Sequence, residues 1–291
     1  MTSQQIVMTA RGRFRPLGLR TLLRGRVVTA VAATVVVVTV LAAVFAPLVA
    51  PYDPTAVDPT AVYQGSSAAH WLGTDDTGRD ILSRILFGAR PSLLAPAAVT
   101  VTAGVVGTAL AVSAAWLGGW YDRLVSGLLD VVFGFPGLVL AVVTAAVFGA
   151  GLPVAVLTLS VAYLPYIGRV VRGAALRERN QPYVAALRML GLPGARICLR
   201  HLTPNLLPLV LAQVVTSFGY TLLDIASLSF IGLGAQPPAP EWGLMVANGS
   251  TGILAGRAEQ SLYAGAAVVV FVIACNLLGG ALSRRLLGED R

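Results

Sequence analysis

Two acidic residues lie within apolar stretches of this sequence, where an ionised side chain has a high free-energy cost. Asp224 stands about midway through the apolar run 207–231, close to Thr221 and Ser227. A carboxylate at membrane depth costs about 2.5–3.5 kcal/mol on insertion scales, so it normally faces a cavity or a partner. Asp224 and Ser227 therefore predict either a translocation path or subunit contact that takes an ammonium group or another cation, or a structural hydrogen bond to a neighbouring helix.

Asp130 and Pro136 lie in the first half of another apolar run, 125–149. Asp130 is either a group that lines a path or pairs helices, or a residue at the membrane boundary near Arg123, where an acid has little cost. Pro136 removes one backbone hydrogen bond and predicts a kink in this helix. Such a kink is either a hinge or only a packing feature.

The residue types that are missing exclude several kinds of enzyme. All 21 basic residues are Arg, so the chain has no Lys for a Walker A phosphate loop or a Schiff base. His70 and His201 lie outside the apolar runs, which excludes a Ser–His hydrolase within the membrane. Cys198 and Cys275 show no metal-ligand spacing and no disulfide framework. We expect a protein that is not an enzyme and holds no metal or cofactor of its own.

The composition is that of a polytopic helical membrane protein. The chain is 56% hydrophobic and only 12% charged, about half the charged fraction of a soluble domain. Crossing the hydrocarbon takes about 20 apolar residues. Six runs fit this length, at 27–49, 93–117, 125–149, 152–171, 207–231 and 262–283. The predicted fold class is all-α, with six transmembrane helices.

The distribution of Arg predicts that both termini face the cytoplasm. With six spans and the N-terminus inside, seventeen Arg residues lie on the inner side and four on the outer side. Inner loops of membrane proteins carry the excess of basic residues, so this orientation is favoured. The net charge of +8 follows from topology and not from nucleic-acid binding. The predicted segments are a cytoplasmic tail 1–26, a first span 27–49, an outer loop 50–92, a core 93–283 with an inner loop 172–207, and a tail 284–291.

The outer loop is too long for a simple connection and predicts structure of its own. Turn residues cluster between Gly73 and Gly78. The segment Asp80–Gly88 has apolar residues on one side and predicts a short helix on the membrane surface, with Asp80 and Arg84 paired at i,i+4. Tryptophans suit aromatic belts at the two membrane surfaces, with Trp71 and Trp242 outside and Trp116 and Trp120 inside.

A polar, basic segment at 183–208 separates two apolar runs and predicts a helix–turn–helix. The first helical pattern runs from Tyr183 to Leu190 and stops at Gly191, and the second runs from Ala195 to Leu202. The segment mixes apolar side chains with arginines, as helix-in-groove recognition requires. It is either a docking element for a soluble partner or a solvated basic loop that only obeys the topology rule.

Three segments resemble the permeases of ABC importers for dipeptides, oligopeptides and nickel. Residues 70–93 resemble their HWLGTD..GRD.LSR...G.R.SL segment, and residues 227–243 resemble LSFLGLG.QPP.P.WG. The segment 183–208 resembles their cytoplasmic EAA loop, with Gly191 at the glycine position. Within that family the chain looks most like the second permease subunit.

Two positions depart from the family pattern. Ala185, Ala186 and Leu187 stand where the loop has Glu-Ala-Ala, so the acid is missing. An acid is also expected at Ile225, and the sequence has Asp224 one residue earlier. The first departure removes a family contact to the ATPase, and the second prevents a family role from being copied to Asp224.

The resemblance implies a type I ABC importer permease in a bacterial inner membrane. It implies as partners a second related permease, two cytoplasmic ATPase subunits that bind ATP and Mg²⁺, an extracytoplasmic solute-binding protein and membrane lipid. Import of dipeptides, oligopeptides or a related small solute would proceed by alternating access. The loop residues that this resemblance assigns to ATPase coupling are Tyr183, Ala185, Ala186, Arg188, Gly191, Arg196, Arg200, His201 and Pro204.

Two further functions remain open at the level of sequence. An ion-coupled secondary transporter needs no ATPase, and only Asp224 favours it, since that class usually has more spans and internal repeats. A structural or assembly protein of the membrane is harder to exclude, but it explains the inner helix–turn–helix less well.

Overall fold

The computed structural model describes residues 19–287, and side chains from residue 27 to residue 284. Residues 1–18 of the predicted N-terminal tail and residues 288–291 lie outside the described residues. The helices are α1 Leu19–Val44, α2 Ala46–Val49, α3 Ile81–Leu117, α4 Gly119–Phe133, α5 Gly137–Phe148, α6 Leu152–Arg179, α7 Pro182–Met189, α8 Gly194–Ile197, α9 Thr203–Phe230, α10 Trp242–Asn248, α11 Ser250–Leu254 and α12 Glu259–Leu287. A π-helical turn, Cys198–Leu202, joins α8 directly to α9.

Five described helical segments are long and apolar enough to cross a membrane. They are α1, α3, α6, the continuous segment of α8 and α9, and α12. The pair of α4 and α5 meets the same criterion jointly and gives a sixth candidate, although the two helices meet at 85°. The all-α membrane fold predicted from the sequence is confirmed, with five spans or, if the bent pair is one span, six.

The bent pair explains what Pro136 does. The helix ends at Phe133 and resumes at Gly137, so the predicted kink is a complete break. Proline disfavours the helical conformation of the residue before it, here Phe135, and lacks the N–H of a continuing helix. The run also begins earlier than residue 125, because α4 starts at Gly119, directly after the sharp turn at Gly118, where φ is +67°.

The predicted surface helix at Asp80–Gly88 is wrong as a separate element. The carboxylate of Asp80 accepts from the Ser83 amide at 2.8 Å and caps a helix that continues through Pro91 and Pro96 to Leu117. Proline within a membrane helix is tolerated because neighbouring helices satisfy the freed groups. The 37 residues of α3 span about 55 Å, more than the ~30 Å of hydrocarbon, so the helix extends beyond the membrane.

Helices α3, α6 and α9 pack around the main core, which includes Val99, Leu159 and Ile167. Small residues bring these helices close together, as is usual between membrane helices. A Cβ at Gly104 would lie 2.7 Å from the Val214 side chain. A second core joins α12 to α1, α9 and α10.

The outer loop folds around a buried ion cluster. The Asp75 carboxylate is fully buried and accepts from Arg79 Nε at 2.7 Å, from the Arg79 amide and from Thr77. Arg84, on the first turn of α3, is also fully buried, with Nε 3.6 Å from Asp75 and Nη1 donating to the Pro54 carbonyl. These contacts attach the loop to the first turn of α3.

The predicted pair of Asp80 with Arg84 is therefore wrong. The capping geometry turns the Asp80 carboxylate back toward Ser83 and toward His70, whose Nδ1 lies 3.0 Å away. Arg84 then has Asp75 as its acidic neighbour. An i,i+4 pair forms only when both side chains lie along the outside of the helix, and a capping side chain does not.

The prediction for Trp242 is also wrong, because this residue lies in the protein core. Its side chain is 2% exposed, packs against Phe271 and donates from Nε1 to the Ile85 carbonyl at 3.0 Å. A buried indole needs such a hydrogen-bond partner. Trp71 and Trp120 are each 69% exposed, as belt residues are.

Asp75→Asn is expected to lower the free energy of unfolding by about 3–5 kcal/mol. The change leaves Arg79 and Arg84 beside a neutral side chain, and the charge of Arg84 is buried. The measurement is thermal unfolding of the purified protein in mild detergent. Asp76→Asn is the matched control: Asp76 is 38% exposed, 3.5 Å from Arg79, and its loss is expected to change the stability by about 0.5 kcal/mol or less. Equal unfolding temperatures for the two variants would contradict the role of the buried cluster.

Candidate functional site

The basic loop forms the helix–turn–helix that the sequence predicts, between the end of α6 and the start of α9. Helix α6 continues to Arg179 and α9 begins at Thr203, which leaves residues 180–202. Gly191 ends α7 with φ at +76°. Its amide donates to Arg188, and the Leu192 amide donates to Leu187, which is the pattern of a Schellman cap. No atom lies within 4 Å of where a Gly191 Cβ would be, so backbone conformation alone favours glycine here.

Glu178 attaches this loop to two spanning helices. Its Oε1 accepts from the Tyr183 hydroxyl and from Asn205 Nδ2, both at 2.8 Å. Burial raises the pKa of the Tyr183 hydroxyl, and the hydrogen bond to Glu178 raises this pKa further, so the hydroxyl keeps the proton that it donates. The contact joins the end of α6 to α7 and to the first turn of α9.

Trp116, near the C-terminal end of α3, is the second attachment point. The guanidinium carbons of Arg188 and Arg179 lie 4.8 and 5.9 Å from its ring centroid, within cation–π range. Arg179 also donates to the Ala115 carbonyl at 2.6 Å. Gly194 is so close that a Cβ there would lie 3.1 Å from the indole Nε1. The loop and α3 are therefore in direct contact.

The outer face of the loop combines apolar side chains with arginines. Met189 is 89% exposed and Leu190 is 75% exposed at the tip, with Leu199 beside them at 72%. Residues Val184 and Ile197 point inward and are buried. Of the residues assigned to coupling, Tyr183 and His201 are half-buried, and the exposed ones are Ala185, Ala186, Arg188, Gly191, Arg196, Arg200 and Pro204. Ala185, which replaces the Glu of the family pattern, thus lies on this exposed face of the loop.

Asp130 does not lie beside Arg123 but pairs with Arg169 on α6. Arg169 Nη2 and Asp130 Oδ1 are 2.6 Å apart, and the Arg169 guanidinium also lies 4.0 Å from the Phe133 ring centroid. Arg123 instead reaches the Gly119 carbonyl on its own helix. The sequence places Arg123 seven residues from Asp130, on another part of α4, whereas helix packing brings α6 alongside.

Asp224 makes a hydrogen bond to a neighbouring helix, which was one of the two roles predicted for it. The Tyr163 hydroxyl on α6 donates to Asp224 Oδ2 at 2.8 Å. Ser227 is exposed one turn away and donates to the Leu223 carbonyl. The four residues that the sequence assigned to a path lie on different elements. Asp224 and Ser227 share a face of α9, Asp130 lies on α4, and Pro136 lies at the break between α4 and α5.

Sequence reasoning missed four residues that the structure places at these contacts: Trp116, Tyr163, Arg169 and Glu178. One signal was available for Glu178, which is the only acid between Asp130 and Asp224. Tyr163 and Arg169 had no such signal, because their roles depend on which helices lie next to α6.

Trp116→Ala is expected to loosen the loop, because the indole is the surface that Arg188, Arg179 and Gly194 contact. The measurement is limited trypsin cleavage in detergent, which should become several-fold faster at the exposed Arg188, Arg196 and Arg200. Trp120→Ala is the matched control, since Trp120 is 69% exposed and makes an edge contact only with its neighbour Tyr121. Cleavage at Arg257, which lies between α11 and α12, reports on the whole fold and should keep its rate. Equal loop cleavage in both variants would count against an attachment at Trp116.

Two family models match the chain. Residues 105–287 match the binding-protein-dependent transport system inner membrane component, and residues 23–65 match the N-terminal transmembrane domain of oligopeptide transport permease C. A solved structure of the MetNI methionine ABC transporter in an inward-facing conformation aligns with 67% of this chain and 94% of its own chain, at 22% identity and a TM-score of 0.45.

Curated relatives cover most of the chain. A probable D,D-dipeptide transport system permease protein, DdpC, of Escherichia coli K12 is 37% identical over 93% of this chain and 90% of its own length. The dipeptide permease DppC of Alkalihalophilus pseudofirmus is 35% identical over 84% of this chain and 80% of its own. The glutathione permease GsiD of Escherichia coli O6:K15:H31 is 35% identical over 86% of this chain and 83% of its own length.

These matches confirm the resemblance read from the three sequence segments and favour an ABC importer permease over an ion-coupled transporter. The chain belongs to the inner membrane components of binding-protein-dependent transport systems and is a multi-pass permease of the bacterial inner membrane.

Proposed function

We propose that this permease carries dipeptides, oligopeptides or a related small solute inward by alternating access, driven by ATP hydrolysis on partner chains. The relatives named for dipeptide and glutathione transport support this substrate class. The observation that carries the mechanism is the exposed apolar and basic face of residues 180–202, on a loop that contacts α3, α6 and α9.

The proposed topology has six spans and both termini in the cytoplasm. The spans are α1, α3, the bent pair of α4 and α5, α6, α9 with α8, and α12. The excess of Arg on the inner side supports this orientation. Pro136 then lies within the third span, where the break between α4 and α5 provides a hinge.

The proposed assembly contains a second related permease, two ABC ATPase subunits and an extracytoplasmic solute-binding protein, with lipid around the spans. ATP and Mg²⁺ bind to the ATPase subunits, since this chain has no Lys for a Walker A loop. This chain performs no bond chemistry. It changes the side of the membrane to which the path opens.

Coupling is proposed to act through docking of the loop in a groove on the ATPase. Met189 and Leu190 provide apolar contacts at the tip, and Arg188, Arg196 and Arg200 pair with acids around the groove. Because Ala185 replaces the usual acid, no carboxylate is available at that position. Movement of the loop then reaches α3 through Trp116 and reaches α6 and α9 through Glu178.

The first experiment is purification of the tagged chain from its native membrane in mild detergent, with mass spectrometry of what accompanies it. A second permease and P-loop ATPases are expected. Met189→Asp combined with Leu190→Asp places two charges at the apolar tip and is expected to reduce the recovered ATPase about tenfold or more. Leu254→Asp, at an equally exposed outer position (91%), is the control and should retain the ATPase. A wild-type chain that emerges alone, even after cross-linking, would overturn the proposal.

Gly191→Pro is expected to uncouple transport without preventing membrane insertion. Proline fixes φ near −65° and removes the amide that donates to Arg188, so the cap at the end of α7 is lost. Gly191→Asn is the matched control, because asparagine adopts positive φ and no atom obstructs its side chain. The measurement is solute uptake per ATP hydrolysed by the reconstituted complex, expected to fall about tenfold for Pro and to stay near wild type for Asn. Normal uptake by Gly191→Pro would count heavily against coupling through this loop.

A further inference from the structure

A continuous band of charged and aromatic side chains crosses three helices on one side of the bundle. We define the polar stripe as Asp224 on α9, Tyr163, Tyr166 and Arg169 on α6, and Phe133 and Asp130 on α4. No other part of the proposed function uses these residues as a unit. Their chemistry is unusual for helices that are otherwise apolar enough to cross a membrane.

Each member of the polar stripe contacts the next. Tyr163 donates to Asp224 at 2.8 Å, and the rings of Tyr163 and Tyr166 lie 5.4 Å apart. Tyr166 lies 5.2 Å from the Phe133 ring. The Arg169 guanidinium covers Phe133 at 4.0 Å and ends at Asp130, 2.6 Å away. The stripe therefore has an acid at each end, Asp224 and Asp130, and its one arginine, Arg169, lies next to Asp130.

The polar stripe is open on one side. Tyr166 is 54% exposed, and the side chains of Arg169 and Asp130 are 43% and 63% exposed. Tyr163 is eleven residues from the start of α6, about 16 Å along a helix of about 42 Å, which places it well inside the membrane. Charged groups at such depth face water or a partner and not lipid, because hydrocarbon leaves them without solvation.

Water is the better match for this face than a second permease. The centres of protein interfaces are depleted in charged residues, and an ion pair buried there loses solvation that its own attraction seldom repays. Asp224 has a neutral Tyr hydroxyl as its hydrogen-bond partner and would be buried without a counter-charge. An aqueous path leaves each of these groups hydrated.

We propose that the polar stripe is a transient binding surface for the two charged ends of a short unblocked peptide. Asp224 receives the terminal ammonium group, Arg169 receives the terminal carboxylate, and the aromatic rings between them contact side chains without selecting among them. Tyr163, which bonds Asp224, and Arg169 are six residues apart, a rise of about 9 Å along α6, which is on the scale of an extended tripeptide. This inference rests on the proposed transport of peptides and names the residues that contact the peptide.

The existing contacts make this binding weak, as passage through a transporter requires. Arg169 exchanges Asp130 for the peptide carboxylate, and Asp224 keeps Tyr163 while it gains the ammonium group. The peptide carboxylate thus replaces an interaction that the free protein already makes, so only the ammonium contact with Asp224 adds to the net free energy of binding.

The first test asks whether the polar stripe faces water that a peptide displaces. Ser227→Cys, one turn from Asp224, is expected to react with a membrane-impermeant methanethiosulfonate in the whole reconstituted complex, and a defined mixture of unblocked dipeptides and tripeptides should slow the reaction. Val37→Cys on α1, at 54% exposure, is the control and should remain unreactive in lipid. The natural Cys198 and Cys275 are buried, so the wild-type complex gives the background. An unreactive Ser227→Cys, or one that peptides do not protect, would overturn the inference and indicate a face covered by the partner permease.

The second test measures uptake of the same peptide mixture by the complex supplied with its binding protein and ATP. Asp224→Asn and Arg169→Gln are each expected to lower uptake per ATP hydrolysed about tenfold, because each removes one charge-assisted hydrogen bond to the peptide. Glu259→Gln changes an acid outside the stripe and should behave as wild type. Wild-type uptake in both stripe variants overturns this inference alone. A wild-type complex that takes up no peptide overturns the proposed substrate class as well.

Discussion

The fixed position of α3 is the constraint on which the other described elements depend. Its N-terminal end holds the buried Arg84 against Asp75, and Ser92 donates to Glu241, which caps α10. Its C-terminal end carries Trp116, which Arg179 of α6 and Arg188 of the basic loop cover. One uninterrupted helix of 37 residues joins these two ends, so no flexible segment lies between the two loops that α3 contacts.

Helix α6 gathers the polar contacts that set how its neighbours are rotated. It pairs with α4 through Arg172 and Asp122, at 2.5–2.6 Å, and through Arg169 and Asp130. Its Tyr163 bonds α9, and Glu178 at its inner end bonds both α7 and α9. Apolar packing between membrane helices is only weakly directional, whereas a polar group left without a partner in hydrocarbon costs several kcal/mol. These pairs therefore fix orientation more strongly than the surrounding valines and leucines do.

Most elements of the fold were accessible from the sequence, and most side-chain partners were not. The runs of apolar residues predicted the long helices, Gly191 predicted the end of α7, and Pro136 predicted the interruption of the third run. The prediction of a short surface helix was wrong because a capping Asp80 marks where a helix starts and not how long the helix is. Nothing in the residues after Gly88 shows where the membrane surface begins.

The same limit explains the errors at single residues. Trp242 is of the residue type that forms aromatic belts at the membrane surface. Residues 231–258 nevertheless fold back, so its ring lies in the core beside Phe271. Asp130 has Arg123 nearby in sequence, yet it contacts Arg169, which is thirty-nine residues away. Sequence separation measures distance only within one helix, and these contacts join different helices.

The sequence by itself determined that this chain crosses a membrane as helices, has no Lys for a Walker A loop, and contains a basic helix–turn–helix. These properties depend on hydropathy, on the absence of Lys and on local backbone preferences, all of which act within one segment. Only the tertiary structure decided that Trp116 and Glu178 each contact the basic loop, and that Asp224, Tyr163 and Arg169 belong to one series of contacts. The physical reason is that the partner of a polar side chain is set by which helices pack together, and small residues such as Gly104 allow that packing without specifying it.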